Sequence, residues 1–370
     1  MSGSVVIGGS VAQKAHNAGH TWQFLQYLLG FRRLGFEVLL LDSFPGAGER
    51  QLRYVADTMA AHGLGGDWSV DLGGGAHAGR SRAEVLERVR GADLLLNVMG
   101  FVTDSELLGA ARRRVFLDTD PGFGQMWRDL GLADVFTGHD AHVTIGERIG
   151  APDCTIPTCG IDWVTTRQPV VLAEWPRAAA PPLRPFTSIG SWRGAYAPIE
   201  HGGRRYGLRV HEFRRFADLP RRTGGEFDLA LAIDPGETRD LDLLDRGGWR
   251  LLDPRQVAST THAYRDFIAA SKAELMVAKG IYVQSRSGWF SERSACYLAS
   301  GRPVLAQDTG LTGLLPVGEG LLAFDDAEGA VAGVERISSE YRRHCAAARE
   351  FAEEHLDSRR VLARLVEAVA

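Results

Sequence analysis

Lysine is nearly absent from this sequence. Its 370 residues include only Lys14, Lys272 and Lys279, although lysine and arginine together number 42. Such an imbalance is typical of genomic base composition and identifies no function by itself. Acidic residues number 46, so the formal net charge is −4. This charge gives no support for binding nucleic acid or an anionic membrane over a broad surface.

Cysteine is also scarce, and membrane signals are missing. The four cysteines form no Cys-x-x-Cys pair and no Cys/His cluster with zinc spacing, so we expect reduced thiols and no metal site. Residues 1–9 lack a basic stretch followed by an apolar run, which argues against a secretory signal. No apolar segment has the length of a membrane span. A cytoplasmic protein without an integral membrane segment is therefore expected.

The length predicts two domains, and the first begins with a βαβ unit. An apolar strand at Ser4–Ile7 ends in Gly8 and Gly9, a helix is plain from Thr21, and Val38–Leu41 is a second strand that ends at Asp42. This order is of Rossmann type. It lacks the strict G-x-G-x-x-G of dinucleotide-binding proteins.

Further strands in the first half end in polar residues. Residues 93–98 form a nearly continuous apolar run, as expected for a buried parallel strand. Residues 115–117 form another strand, which leaves Asp118 and Asp120 at its carboxyl end. Ligands of open parallel sheets bind beyond that end of the strands. We therefore expect a site along the edge that carries Gly8, Gly9, Asp42, Asn97, Gly100, Asp118 and Asp120.

A proline- and alanine-rich segment at residues 175–185 has no helical or strand period and is predicted to be a linker. The strand predicted after it, Phe186–Ile189, leads into a glycine-bearing loop that contains Ser191 and Arg193. Both halves of the chain are thus predicted to be α/β.

Residues 279–310 combine features suited to a phosphate. Ser291 can cap a helix, Gly301 suits the position after the helix end, and a strand at residues 304–306 stops at a second polar loop. A loop that ends at a helix N-terminus offers free backbone N–H groups and a positive dipole end. Lys279, Arg286 and Arg293 add positive charge there.

The run GWFSERSACYLASGRPVLAQDTG resembles the donor-binding segment of bacterial glycosyltransferases with the GT-B fold, nearest to the group-1 type. That type carries two glutamates separated by seven residues, and the matching positions here are Gly288 and Cys296. The roles of those glutamates therefore do not carry over. The resemblance implies an α/β fold with two Rossmann-like domains facing each other across a cleft. It implies an N-terminal acceptor domain at 1–178, joined by a C-terminal helix at 357–370, and a nucleotide-sugar domain at 186–356.

The function implied by the resemblance is transfer of a sugar from a nucleotide-activated donor to a hydroxyl or amine of a small-molecule acceptor. A secondary metabolite or an envelope precursor would suit as acceptor. The enzyme would be hexosyltransferase-like and metal-independent, because helix dipoles and cationic side chains stabilise the leaving diphosphate. It would need no cofactor besides the nucleotide-diphosphate sugar. No nucleic-acid partner is expected, and the sequence indicates no oligomeric state.

Two residues are candidates for the base that deprotonates the acceptor. His20 lies at the predicted helix start, in the loop where inverting enzymes of this fold often have a histidine, and Asp120 is the alternative. Asp118 and His139 are further candidates for the base, ranked after Asp120. For the donor, the candidates are residues of the glycine loops, the helix start and the second strand end: Gly8, Gly9, Ser191, Arg193, Arg286, Gly288, Trp289, Phe290, Ser291, Glu292, Asp308 and Thr309.

Each candidate also has a purely structural interpretation, since aromatics beside a buried helix are commonly core residues and a glutamate favours any helix N-terminus. Three other functions fit two Rossmann-like halves. One is an NAD-dependent oxidoreductase, which the missing glycine fingerprint opposes. The others are a nucleotide-sugar epimerase of the same fold and a non-catalytic spore or envelope protein that has kept the fold.

Overall fold

The structure is a computed structural model that describes residues 3–179 and 181–370. Within these residues the chain folds into two α/β halves. No helix in the described ranges has the length and apolar character needed to cross a membrane.

The first half is built around an eight-stranded sheet. Its strands are β1 (Ser4–Gly9), β2 (Glu37–Ser43), β3 (Trp68–Gly73), β4 (Ala76–Gly79), β5 (Leu94–Val98), β6 (Arg114–Asp118), β7 (Ala141–Thr144) and β8 (Trp163–Thr165). The spatial order is β4-β3-β2-β1-β5-β6-β7-β8, with only β3 and β4 antiparallel. Its helices are α1 (Ala18–Arg33), α2 (Glu49–Ala61), α3 (Arg82–Gly91), α4 (Ser105–Ala110) and α5 (Phe123–Asp129).

The second half contains a six-stranded parallel sheet and a small hairpin. The strands are β9 (Arg184–Ser191), β10 (Ile199–His201), β11 (Arg204–Tyr206), β12 (Phe227–Ala232), β13 (Arg250–Leu251), β14 (Ser271–Met276), β15 (Val304–Gln307) and β16 (Leu321–Phe324). The sheet order is β13-β12-β9-β14-β15-β16, while β10 and β11 pair with each other.

The second half also contributes most of the helices. They are α6 (Arg209–Phe213), α7 (Leu219–Thr223), α8 (Thr238–Gly247), α9 (Pro254–Val257), α10 (Thr261–Ala270), α11 (Gly280–Ser285), α12 (Glu292–Ala299), α13 (Ala327–Ser339), α14 (Tyr341–His355) and α15 (Ser358–Val369), with one turn of 3₁₀ helix at Arg214–Phe216.

Local sequence explains why these elements begin and end where they do. The central strand β1 buries Val5, Val6 and Ile7 completely, as a parallel strand covered on both faces requires. Helix α1 begins at Ala18, three residues before the predicted start, because the Asn17 side chain accepts a hydrogen bond from a first-turn amide. The predicted cap of α12 is present as well, with the amide of the second helical residue donating to Ser291 Oγ at 3.2 Å.

The last helix returns to the first half. A Cβ atom on Gly30 of α1 would lie 2.5 Å from Leu362 Cδ1 of α15, so glycine is needed for this close packing. Backbone hydrogen bonds link Val170 to both sides of the α14–α15 junction, with Val170 N donating to Leu356 O at 2.8 Å and Ser358 N donating to Val170 O at 2.9 Å. The domain bounds 1–178, 186–356 and 357–370 stay a prediction, to which these contacts add support.

The described part of the predicted linker, 175–179 and 181–185, forms no helix and enters β9 at Arg184; Ala180 lies outside the described residues, as do Met1 and Ser2. Trp175 at its start is fully buried, with its ring centroid 4.8 Å from that of Trp22. The segment is therefore anchored at its first residue rather than free along its length.

Hydrogen bonds join the two halves beside the space between their sheets. Ala18 N donates to Ala258 O at 3.0 Å, and Trp22 Nε1 donates to Thr261 O at 3.0 Å. Elsewhere along the boundary, Arg148 N donates to Ser287 O at 3.1 Å. These bonds hold the two halves next to a common cleft.

Candidate active site

The cleft between the halves is a cavity of about 730 Å³. It is lined by the β1–α1 loop, the residues after β6, β9, β12 and β14, the start of α12, and the region of α9 and α10. The loops among these follow the carboxyl ends of parallel strands, which is where ligands of open α/β sheets bind. The cleft is therefore the candidate active site.

A buried carboxylate orders the β1–α1 loop. Ala12 N donates to Asp42 Oδ2 at 2.7 Å, and Gln13 Nε2 donates to the neighbouring Ser43 O at 2.8 Å. Burial raises the pKa of Asp42 to about 6, and the hydrogen bond from Ala12 opposes the rise. Asp42 does not line the cavity; it holds the loop that brings Lys14 and His20 into it.

His20 lies in the cleft but is poorly placed to accept a proton. Its Nε2 is 2.9 Å from Ser10 Oγ and 3.2 Å from Ser10 O. Because a carbonyl oxygen can only accept, we assign the proton of the neutral ring to Nε2. Burial, and then the charge of Lys14, lower the pKa of His20 to about 3. A base with so low a pKa is weak at neutral pH.

Asp120 lies where the two halves meet. Lys279 Nζ donates to Asp120 Oδ2 at 2.6 Å, and Tyr282 OH donates to Asp120 Oδ1. Both donors belong to the second half, whereas Asp120 follows β6 of the first. Lys14 approaches the same carboxylate, and burial lowers the pKa of Lys14, while Asp120 opposes and Lys279 adds to that effect.

Aromatic rings surround Lys279. Its ammonium nitrogen lies 5.2 Å from the ring centroid of Phe123, 5.3 Å from that of Tyr282 and 5.8 Å from that of Tyr196. Cation–π attraction at these distances holds the ammonium group in place. Lys279 is thus fixed at the centre of the cleft beside Asp120.

Asp118 has a supporting role beneath Asp120. Gln125 Nε2 and Thr144 Oγ1 donate to Asp118 Oδ2 at 2.7 and 2.9 Å, and Asp120 N donates to Asp118 Oδ1 at 3.0 Å. Burial raises the pKa of Asp118 to about 6. The carboxylate of Asp118 is therefore engaged in shaping the loop that carries Asp120.

Two guanidinium groups meet at Gly190, at the end of β9. A Cβ atom on Gly190 would collide with Arg209 Nη1 and lie 3.7 Å from Arg293 Nη1, so only glycine leaves room for the pair. Arg293 has a partner, because its Nε donates to the buried carboxylate of Glu274. In the described residues, Arg209 has no carboxylate partner.

The environment of Arg209 favours an anion. Its Nη1 donates to Ser191 O at 3.4 Å, and its buried Nε has no partner in the part of the chain that the structure describes. Burial and the charge of Arg293 lower the pKa of Arg209 to about 10, so the side chain is still protonated at neutral pH. A guanidinium group without an ion-pair partner in the described residues has N–H donors left for a ligand, and a bound phosphate would supply both acceptors and negative charge.

Other predicted residues also face the cavity. Arg193 and Ser191 line it after β9, and Arg193 Nη2 donates to Glu237 Oε2 at 2.8 Å. Glu292 lines it from the first position of α12, with Ser291 Oγ donating to Glu292 Oε2 at 3.3 Å. Together with His20 and Asp120, these are the predicted residues that the fold brings together.

The remaining predicted donor residues lie outside the cavity lining. Gly8 and Gly9 belong to β1, and Cβ atoms there would meet Val102 and Phe24, so these glycines serve packing. The others pack or hydrogen-bond at the domain boundary or in the core of the second half: Arg286, Gly288, Trp289, Phe290, Ser291, Asp308 and Thr309.

Specific contacts explain why three of these residues point elsewhere. Arg286 Nε donates to Asp153 Oδ2 at 2.9 Å. Trp289 stacks on Tyr282 at a centroid distance of 4.3 Å. Asp308 Oδ1 accepts from Gly310 N at 2.7 Å. A direct donor contact by any of them stays an untested prediction that the cavity does not favour.

Sequence reasoning missed Lys14 and Arg209 as site residues, and left Lys279 and Arg293 as nearby charge only. The rarity of lysine was an available signal, since two of the three lysines in this arginine-rich chain line the cleft. Arg209 gave no signal, because its position against Gly190 is a tertiary contact between α6 and the end of β9.

Comparison with known proteins identifies the fold. No protein-family model and no curated protein matches the chain. Among solved structures, an alpha-glucosyltransferase in complex with UDP-glucose and DNA containing an abasic site is similar over 100% of both chains, with a TM-score of 0.66 and 14% identity.

Two further solved structures are similar over nearly the full length. AviGT4, a glycosyltransferase involved in avilamycin A biosynthesis, has a TM-score of 0.54 and 17% identity over 98% of this chain and 96% of its own. HepE of Anabaena, in complex with UDP and glucose, has a TM-score of 0.58 and 12% identity over 99% and 98%. The predicted resemblance to GT-B glycosyltransferases is thus confirmed at the level of the fold.

The ionisation of Asp42 predicts a measurable pH effect. The folded protein holds a proton on Asp42 up to a pH of about 6, against an ordinary pKa of 3.8. Between these values the unfolded chain loses a proton that the folded protein keeps, so stability falls as the pH rises. In wild type this effect lowers the free energy of unfolding by roughly 3 kcal/mol across this pH range, and the Asp42→Asn variant should not show that loss. Urea unfolding of wild type and Asp42→Asn at several pH values measures the difference.

The exposed Asp162 provides the control, because Asp162→Asn should reproduce the wild-type pH dependence. If Asp42→Asn and wild type lose stability in parallel between pH 4 and 6, Asp42 is not a buried carboxylate with a raised pKa.

Proposed function

We propose that this protein is a glycosyltransferase that moves a sugar from a nucleotide-diphosphate donor to a hydroxyl or amine of a small-molecule acceptor. The observation that carries the proposal is Arg209, which has no carboxylate partner among the described residues and faces a cleft between two Rossmann-like halves. The GT-B fold, shared with glycosyltransferases bound to UDP or UDP-glucose, supports it. A cytoplasmic location belongs to the same proposal.

In this proposal the diphosphate of the donor lies against Arg209, with Lys14 approaching from the first half. Both side chains lack a carboxylate partner close enough for an ion pair in the described residues, so a diphosphate would neutralise charge that the protein leaves open. Ser191, Arg193 and Glu292 would contact the nucleoside or sugar hydroxyls from the same wall. The cationic groups would stabilise the charge of the leaving diphosphate, as a metal ion does in other enzymes. Metal independence stays a prediction.

Asp120 is the base that this geometry favours. As the acceptor oxygen bonds to the anomeric carbon, the bond from that carbon to the diphosphate breaks and the acceptor proton passes to the Asp120 carboxylate. A bound diphosphate would give Lys279 a second anionic partner in addition to Asp120. His20, whose Nε2–H is held by Ser10, would orient the loop rather than take the proton.

An epimerase of the same fold would use the same donor pocket. The two functions differ in what they release, because a transferase frees nucleoside diphosphate in proportion to acceptor consumed. The acceptor need not resemble that of the similar alpha-glucosyltransferase, whose structure contains DNA. The net charge of −4 favours a small molecule here.

Arg209→Gln should weaken nucleoside diphosphate binding roughly tenfold or more, the size of one charge-assisted hydrogen bond. Titration calorimetry with the diphosphate that binds best to wild type measures the change. Arg204→Gln on the exposed strand β11 removes the same charge outside the cleft and should bind as wild type does. Equal affinities in the two variants would refute the placement of the diphosphate.

Asp120→Asn should slow sugar release from the donor by about 100-fold or more, the usual contribution of a general base, with diphosphate affinity changed less than about threefold. His20→Gln keeps a donor for Ser10 and should retain most of the rate. The assay follows donor hydrolysis, in which water replaces the acceptor. If Asp120→Asn hydrolyses the donor at nearly the wild-type rate while His20→Gln is slow, His20 is the base instead.

A further inference from the structure

A second cavity, of about 490 Å³, adjoins the cleft. It lies between α2 of the first half and the start of α10 in the second, and His16 belongs to the lining of both cavities. A molecule bound in the second cavity would therefore reach the cleft past His16. The donor site proposed above uses no residue of this second cavity.

His16 forms an ordered boundary between the cavities. Its backbone has φ of +65°, a conformation that residues other than glycine adopt seldom and mostly at structured sites. The imidazole ring lies 4.7 Å from the ring centroid of Tyr54, and Arg50 Nε donates to His16 Nε2 at 3.2 Å. Tyr54 is fixed in turn, since its hydroxyl lies 2.8 Å from Thr21 Oγ1. The passage between the two cavities is thus bordered by side chains in fixed positions.

The side chains of the second cavity carry balanced charge. Two carboxylates, Glu49 and Asp57, face two guanidinium groups, Arg50 and Arg53. Arg53 pairs with Glu49, whereas the exposed Asp57 has no hydrogen bond or ion pair in the described part of the chain. The polar lining also includes three threonines and a histidine: Thr58, Thr260, Thr261 and His262.

This composition selects one class of ligand. A polyanion such as DNA would meet as many carboxylates as guanidinium groups and gain little. A flat apolar molecule would bury the charged groups without pairing them. An uncharged molecule with many hydroxyls can donate to Asp57 and accept from Arg50 and the threonines at once.

We propose that the second cavity binds the acceptor and that this acceptor is an uncharged, polyhydroxylated molecule of the carbohydrate or cyclitol class. The inference rests on the proposed function, since it takes the cleft as the donor site. The reacting hydroxyl of the acceptor would pass His16 and enter the cleft that contains Asp120, while the rest of the molecule stays between α2 and α10.

Saturation-transfer NMR on the whole protein tests this with three probes: methyl α-glucoside, 4-nitrophenol and a short DNA duplex. Methyl α-glucoside should give a signal with wild type that falls at least threefold in both Asp57→Ala and Arg50→Ala. The exposed Asp162→Ala should keep the wild-type signal. Both cavity substitutions are at exposed positions, and matching thermal melts confirm that the variants are folded.

Three results would overturn the proposal: no methyl α-glucoside signal with wild type, a stronger signal from 4-nitrophenol or DNA, or an undiminished glucoside signal in both cavity variants. Titration of wild type with UDP, GDP, ADP and dTDP separates this from failure of the proposed function. If none of the four binds while the glucoside signal depends on Asp57 and Arg50, the carbohydrate site stands and its role in transfer is refuted.

Discussion

The polarity of parallel strands is the constraint on which the rest of this structure depends. Every strand of a parallel sheet ends at the same edge, so the loops after β1, β6, β9, β12 and β14 must collect along two edges, and these loops line one cleft. Residues far apart in sequence, such as Asp120 and Lys279, become neighbours for this reason. The charge of the site follows, because cationic side chains from both halves enter the same 730 Å³.

Carboxylates in and around the cleft divide into two kinds. Asp42 and Asp118 are buried, accept backbone N–H groups and shape loops, and burial raises the pKa of each to about 6. Asp120 instead faces the cavity and is held by side chains of the opposite half. The buried pair fixes where the loops at the cleft lie, and Asp120 is the carboxylate of the three that faces the ligand space. Among the cations, Arg293 is paired with Glu274, whereas the Nε of Arg209 has no hydrogen-bond partner in the described residues.

Much of the fold could be predicted from the sequence, because apolar runs such as Val5–Ile7 and the cap at Ser291 act locally. The predicted last helix is present from Ser358, and its packing on α1 agrees with the expected return to the first half. The site was harder to predict. Trp289, Phe290 and Asp308 stand beside a helix start that suits phosphate, yet their own contacts are with the protein.

The positions and roles of the site residues depend on tertiary packing, which no local sequence pattern predicts. Arg209 of α6 lies against Gly190 at the end of β9, and Lys14 lies on the loop that Asp42 orders. His20 was a reasonable candidate for the base from its position, but burial and Ser10 change its chemistry. Residue type and spacing predicted which loops form the site, and the surroundings of each side chain determine its role.

The central claim is that the cleft binds a nucleotide-diphosphate sugar, and one measurement tests it most directly. Calorimetric titration of the wild-type protein with UDP-, GDP-, ADP- and dTDP-sugars, and with NAD, compares the two classes of ligand that Rossmann-like halves accept. We predict that at least one nucleotide sugar binds with one-to-one stoichiometry and that NAD does not bind. Binding of NAD alone, or of none of the five, would contradict the account.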